Sequence, residues 1–376
     1  MRITTLTNRA ETCACASAIA LGFSIPISVA LDNILLAAIL VLWIASAGYA
    51  GKFSQISHNR VALAALALFT LLIIGLTYGT RFPGDGLRYL GKYADLAFIP
   101  VFITLFNSAR ARQLGWLAFA AAMILTLALS CLLWIGAITH PSPNVGDQGN
   151  PAIFKLYLTQ TALMAFAAFL FVQLARAAPS PRQRKWWSAA AAIAAINVAF
   201  MSQGRTGQLI LVALGLYGIH LIWKWRGTLI AVACIAIITS TMIVGSANTS
   251  NRYVQGLTEW QIWQPGQPTQ TSVGYRLEFL HNSLKILREH PLAGVGTGGF
   301  PKAYSDMVAD TGINPSTNPH NEFINLSIQT GVAGLLALLY LFSSVWRNAP
   351  SLPTLNEHIL ARGLVITFVI GCLFNS

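Results

Sequence analysis

Apolar stretches recur along the chain at lengths that suit a bilayer. A helical crossing of the hydrocarbon layer takes roughly 17 to 25 apolar residues. About eleven stretches approach that length, starting near 12, 31, 61, 93, 114, 152, 187, 207, 227, 323 and 359. The pattern predicts an all-α polytopic membrane protein, with residues 1–376 as a single transmembrane domain. Only Asp32-Asn33 separates the first two stretches, which predicts a tight hairpin there. From about 246 to 322 the apolar pattern stops, so a long polar loop is expected between spans nine and ten. An odd number of crossings leaves the two chain ends on opposite sides, and a twelfth span is expected beyond Ser376.

Within that loop, residues 272–290 carry a helical period. Leu277, Leu280, Leu284 and Leu287 repeat at spacings of 3, 4 and 3 and predict one apolar stripe. Arg276, Lys285 and Arg288 are placed off it. Pro291 ends the helix, and the glycine-rich run 294–300 reads as a flexible turn. That run lacks the Gly-Lys-Ser/Thr ending of a nucleotide loop, and no strand precedes it. A short helix is expected over about 301–310.

Composition agrees with a lipid-solvated chain. Hydrophobic residues make up 55% and charged residues 10%, and mean hydropathy is +0.59. Charge then sets orientation. Short segments between spans carry Arg9, Lys52, Arg60, Arg110, Arg112, Arg176 and their neighbours, which the positive-inside rule assigns to the cytoplasm. The long loop falls on the opposite face. The formal net charge of +12 is therefore a topology signal, and nucleic acid is not needed as a partner. The first span reads as a retained helix, because further spans follow it at once. The five cysteines lie in apolar segments without metal-type spacing or a disulfide framework.

Span centres hold almost no ionisable residues, whereas coupled transporters place such residues inside their helices. Polar groups gather at the outward face instead, which argues for surface chemistry. Arg205 sits in the turn Ser202-Gln203-Gly204-Arg205-Thr206-Gly207. It reads either as a snorkelling interfacial arginine or as a ligand group beside glycines that let a substrate approach. Arg276 reads as a solvated helix residue or an anion-binding one. His320 reads as an interfacial histidine or as a base whose tautomer is fixed by Asn318, Asn321 or Glu322. Arg88 and Lys92, in the outward turn 81–92, join Arg288 and Asn321 as weaker candidates for substrate contact. The 139–151 loop reads as a plain connector. His281, Glu289, His290, Asp306, Asp310 and His320 match no metal-ligand spacing, and no metal site is expected.

Several of these segments resemble one family. The Gly-Arg-Thr-Gly turn, an arginine early in a long loop, His290-Pro291-Leu292-Ala293-Gly294-Val295-Gly296-Thr297-Gly298, and Pro319-His320-Asn321-Glu322-Phe323 ahead of a span are similar to the O-antigen ligase family. So is Ile328-Gln329-Thr330-Gly331-Val332-Ala333-Gly334. The resemblance implies a twelve-span glycosyltransferase of a bacterial inner membrane, with its active site on the periplasmic face. It would move O-antigen glycan from undecaprenyl pyrophosphate to a lipid A-core sugar, with inversion and without a metal or other cofactor. It gives catalytic roles to Arg205, Arg276 and His320. An O-antigen polymerase and a protein O-oligosaccharyltransferase share that chemistry. A lipid-linked glycan transporter and a structural membrane partner are the alternatives without catalysis.

Overall fold

A computed structural model describes residues 2–79, 84–140, 142, 145–245, 258–267, 271–309 and 311–374. The predicted stretch 246–257, with Arg252, lies outside these residues, as do Arg81 and Asp310. Helix dominates, and helix starts follow local chemistry. Ser28, Ser108, Ser180 and Thr271 each accept a hydrogen bond from a backbone N–H in the first turn they cap.

Among the described residues six helices are long and apolar enough to cross a membrane, or up to seven if one bent pair is a single span. The six are Arg60–Tyr78, Ala109–Trp134, Tyr157–Ala177, Arg205–Cys234, Glu322–Ser351 and Leu355–Phe374. The stretch expected near 93 is an 11-residue helix, Asp95–Leu105, containing Pro100. At 1.5 Å per residue it reaches only about 16 Å. The stretches near 207 and 227 form two helices that meet at Lys224, where φ is 56°, within the run Arg205–Gly245. The first turn also differs from expectation. Helix Arg2–Ser24 ends before Pro26, which cannot continue it, and Asp32 lies inside the first turn of Val29–Ala45. There the Asp32 carboxylate accepts from Ser24 Oγ and faces Lys155 Nζ at 3.5 Å.

The chain divides into two compact units. The first comprises residues 1–63, 98–215 and 343–371. Its small residues Ala14 and Ala18 pack with Leu21, Ile39, Val101 and Leu105, a close approach that suits helices in lipid. Arg112 Nε donates to Glu357 Oε1 at 2.6 Å, tying Ala109–Trp134 to Leu355–Phe374.

The second unit comprises residues 64–97, 216–342 and 372–376. Ile286, Phe300, Tyr304, Val308, Ile313 and Ile328 form its buried cluster, joining the loop helices Ser272–Glu289 and Phe300–Val308 to helix Glu322–Asn348. The glycine run is not a flexible turn. Helix Glu322–Asn348 breaks at Gly331, where φ is 68°, and the carbonyls exposed by that break take the loop's N–H groups. Val295 N–H bonds Ile328 O at 2.7 Å, Gly296 N–H bonds Gln329 O at 3.0 Å, and Val332 N–H bonds Pro291 O at 2.9 Å. Thr297 reaches the other side, from its N–H to Gly75 O at 3.0 Å and from Oγ1 to Leu72 O at 2.7 Å. Every polar backbone group needs a partner when water is excluded, and here two helices supply them.

The leucine stripe is also not the buried face. Glu278, Asn282, Ser283 and Ile286 point inward, while Leu280 and Leu284 are 41% and 39% exposed. Paired hydrogen bonds explain the inversion: Glu278 accepts from Trp263 Nε1 at 3.1 Å, Gly266 N–H at 3.3 Å and Asn282 Nδ2 at 2.9 Å. A polar side chain whose bonds are satisfied can occupy a core position.

Candidate functional site

His320 stands in a strained turn. Its φ of 55° is left-handed, a region that histidine enters more readily than most residues. Asn318 Oδ1 holds the turn by accepting the His320 backbone N–H at 2.7 Å. Buried Pro319 anchors the segment. His320 as a residue is exposed, while its ring lies partly covered against Phe279, with ring centroids 5.8 Å apart.

The three expected tautomer-fixing partners do other work. Asn318 binds the backbone. Asn321 Oδ1 accepts from Ile324 N–H at 3.1 Å at the start of helix Glu322–Asn348, and its Nδ2 donates to Leu373 O at 3.3 Å. Glu322 turns to Tyr93, whose hydroxyl donates to Oε1 at 2.6 Å. Among the described residues the ring nitrogens of His320 make no hydrogen bond.

Arg276, exposed on helix Ser272–Glu289, acts on that ring electrostatically. Burial beside Phe279 lowers the His320 pKa below its usual value, and the positive charge of Arg276 lowers it further. The imidazole is therefore neutral, and able to take a proton, over more of the acid range than a free histidine with a pKa of ~6.5. By NMR titration the His320 ring should show a pKa under that value, and Arg276→Ala should raise it. A titration unmoved by Arg276→Ala would separate the two residues.

A second element reaches the same turn. Helix Gly84–Lys92 places Tyr89 so that its hydroxyl donates to Thr317 O at 2.8 Å. Tyr93 follows at the helix end and starts a polar ladder. Asn325 Nδ2 donates to Glu322 Oε2 at 3.2 Å, Gln329 Nε2 donates to Asn325 Oδ1 at 3.1 Å, and Gln329 Oε1 accepts from Gly298 N–H at 3.0 Å. This ladder ties the His320 turn to the glycine run. Tyr89, Tyr93, Asn325 and Gln329 carry no expected role in the sequence, although Tyr93, Asn325 and Gln329 are polar groups bordering or inside apolar segments. Lys92 is exposed, with Nζ 4.3 Å from the Tyr89 ring centroid, and it interacts electrostatically with Glu322. Arg88 is exposed on the same helix, and Arg288 is exposed in the last turn of Ser272–Glu289.

Arg205 belongs to the first unit, where it opens helix Arg205–Gly245 and is exposed. Its flanking glycines serve packing. A Cβ on Gly204 would lie 2.1 Å from Thr161 Oγ1, and one on Gly207 would lie 2.6 Å from Thr161 C. The helix therefore starts in direct contact with Tyr157–Ala177. The 139–151 connector supports this turn: Gln203 N–H donates to Asn150 Oδ1, and Gln203 Nε2 to Gly149 O, both at 3.3 Å. A π-helical turn, Asn197–Met201, precedes it, with buried Asn197 donating from Nδ2 to Ser130 Oγ at 2.8 Å. Such turns recur near functional sites.

Among the described residues no three His, Cys, Asp or Glu side chains gather as a metal site would require. The second unit thus offers a histidine whose pKa is lowered by burial and by the Arg276 guanidinium, with the Lys92 ammonium on helix Gly84–Lys92. That set can bind an anionic group and accept a proton from a neutral one. No curated protein matches the chain. The family match points to a glycosyl-transfer enzyme of the O-antigen ligase and polymerase type, a class that works on lipid-linked glycans. Residues 190–339, which hold Arg205, Arg276, Arg288, His320 and Asn321, match the family model described as O-Antigen ligase, the family that the sequence motifs resemble.

Proposed function

We propose that the protein is an O-antigen ligase, acting at the periplasmic face of the inner membrane. The donor would be a glycan on undecaprenyl pyrophosphate and the acceptor a sugar of lipid A-core. The observation that carries this reading is the exposed residue His320, electrostatically coupled to Arg276, within the segment that matches the family.

In the proposed reaction the acceptor hydroxyl oxygen attacks the anomeric carbon of the donor sugar. His320 takes the hydroxyl proton as the new C–O bond forms. The bond from that carbon to the diphosphate breaks, and undecaprenyl pyrophosphate leaves with the electron pair. Negative charge grows on the leaving diphosphate, where Arg276 can stabilise it through paired hydrogen bonds. Arg205 is assigned the same task on the strength of its motif, with Lys92, Arg88 and Arg288 as further cationic contacts for the donor and Asn321 as a polar one. Removing one such charged donor typically costs about 10²–10³ in rate.

The acceptor distinguishes this reading from its neighbours. Purified protein should transfer glycan to lipid A-core and neither to a second lipid-linked repeat nor to a protein. Transfer to a repeat unit would make it a polymerase. Transfer to a serine- or threonine-bearing protein would make it an oligosaccharyltransferase. Because arginines carry the leaving-group charge in this scheme, transfer should persist in a chelator. Activity lost on chelation and restored by a divalent ion would refute that part.

A further inference from the structure

Two membrane helices fix the depth of the glycine run. In helix Glu322–Asn348 the apolar stretch ends at Arg347, and about 20 residues fill the hydrocarbon core. From its break at Gly331 to Arg347 the helix reaches only about 24 Å, less than that core, so the break lies inside it. The carbonyls of Ile328 and Gln329 bind Val295 and Gly296, and Val332 N–H binds Pro291 O. Helix Arg60–Tyr78 gives the same answer independently. Leu72 and Gly75 lie about 18 and 22 Å along it from Arg60, short of a full crossing, and both carbonyls bind Thr297. Residues 291–298 thus sit below the surface of the bilayer that these helices cross.

The flanking helices follow from that depth. At its upper part, helix Ser272–Glu289 touches the His320 turn through Phe279. At its lower end Pro291 meets the break at Gly331, and between them Ile286 packs in one cluster with Ile328. The helix therefore descends beside the first turns of Glu322–Asn348. Phe300–Val308 then returns, with Phe300, Tyr304 and Val308 buried in that cluster. Irregular backbone is tolerated at membrane depth only where protein satisfies it, and the N–H groups of Val295, Gly296, Thr297 and Gly298 all have protein acceptors.

We infer that residues 272–308 form a re-entrant helical hairpin whose exposed leucines contact the acyl chains of one leaflet. Leu280 and Leu284 are exposed, and Leu292 is 82% exposed next to the Gly331 break. Water offers nothing to such a row, whereas lipid does. Lys285 and Glu289 are also exposed and sit about 100° or more around the helix from Leu280 and Leu284, beside the inward-facing Glu278 and Asn282, where their charge requires water rather than lipid. Arg288 lies between the two faces and is long enough to snorkel. This arrangement does not depend on the reaction the protein catalyses.

Site-directed spin labelling tests it on the full chain in liposomes, after replacing the native cysteines. Labels at Leu280→Cys, Leu284→Cys and Leu292→Cys should collide several-fold more with dissolved oxygen than with a water-soluble nickel complex. Labels at Lys285→Cys and Glu289→Cys should show the reverse. Unsubstituted protein provides a second readout, because a lipid-dissolved carbene precursor should leave adducts on Leu280, Leu284 and Leu292. Five labels equally open to the nickel complex would overturn the inference. So would carbene adducts on the spans with none on these leucines.

Discussion

His320→Asn should lower glycan transfer by about 10²–10⁴-fold, the range for loss of a general base, while the protein stays folded. Asparagine is the informative replacement because of the backbone. His320 occupies the left-handed region with φ of 55°, where most side chains are strained and asparagine is tolerated. Its N–H can still bond Asn318 Oδ1, so the turn survives while the proton acceptor is lost. Transfer assays in parallel with a thermal melt in detergent separate chemistry from folding. Unchanged transfer with an unchanged melt would remove His320 from the mechanism. A loss of transfer accompanied by a collapsed melt would show that the ring supports the turn rather than the reaction.

Gly331→Ala should abolish the properly folded protein, the largest stability effect expected of any single substitution here. Gly331 adopts φ of 68° and ψ of −164°, a combination essentially restricted to glycine and costing other residues on the order of 1–3 kcal/mol. There is also no room. A Cβ would lie 2.0 Å from Leu292 O and 2.3 Å from Leu292 C, both backbone atoms that cannot swing aside. Shifting them would break the bonds from Val295, Gly296 and Val332 and pull the ladder through Gln329 away from the His320 turn. Gly371→Ala is the control, since a Cβ there meets nothing within 4 Å. Size-exclusion profiles and melts should show Gly331→Ala aggregated or strongly destabilised and Gly371→Ala like the parent protein.

Much of this was legible in the sequence because lipid imposes a simple code. Long apolar runs such as 61–78 and 323–346 have few ways to be satisfied other than as helices, and the structure has helices there. His320 and Arg276 could be singled out because ionisable groups stand out against an apolar background, and both fall in the second unit, electrostatically coupled. Other features depended on contacts distant in sequence. Glycines 204 and 207 read as room for a ligand until Thr161 was seen against them. The run 294–300 read as flexible because its hydrogen-bond partners lie in helices more than 25 or 200 residues away. The leucine stripe misled for a related reason. Periodicity identifies an apolar face without saying whether protein or lipid covers it, and Glu278 with its three donors took the protein side instead.

The proposed role of an uncharged His320 ring is to activate the acceptor for a single displacement at the anomeric carbon. Its most direct test is the anomeric configuration of the transferred sugar, read by NMR on product made by the purified protein from a donor of known configuration. One displacement assisted by a base predicts inversion, with free undecaprenyl pyrophosphate as the other product. Retention of configuration would exclude a single displacement from the opposite face, and would contradict the role assigned to His320.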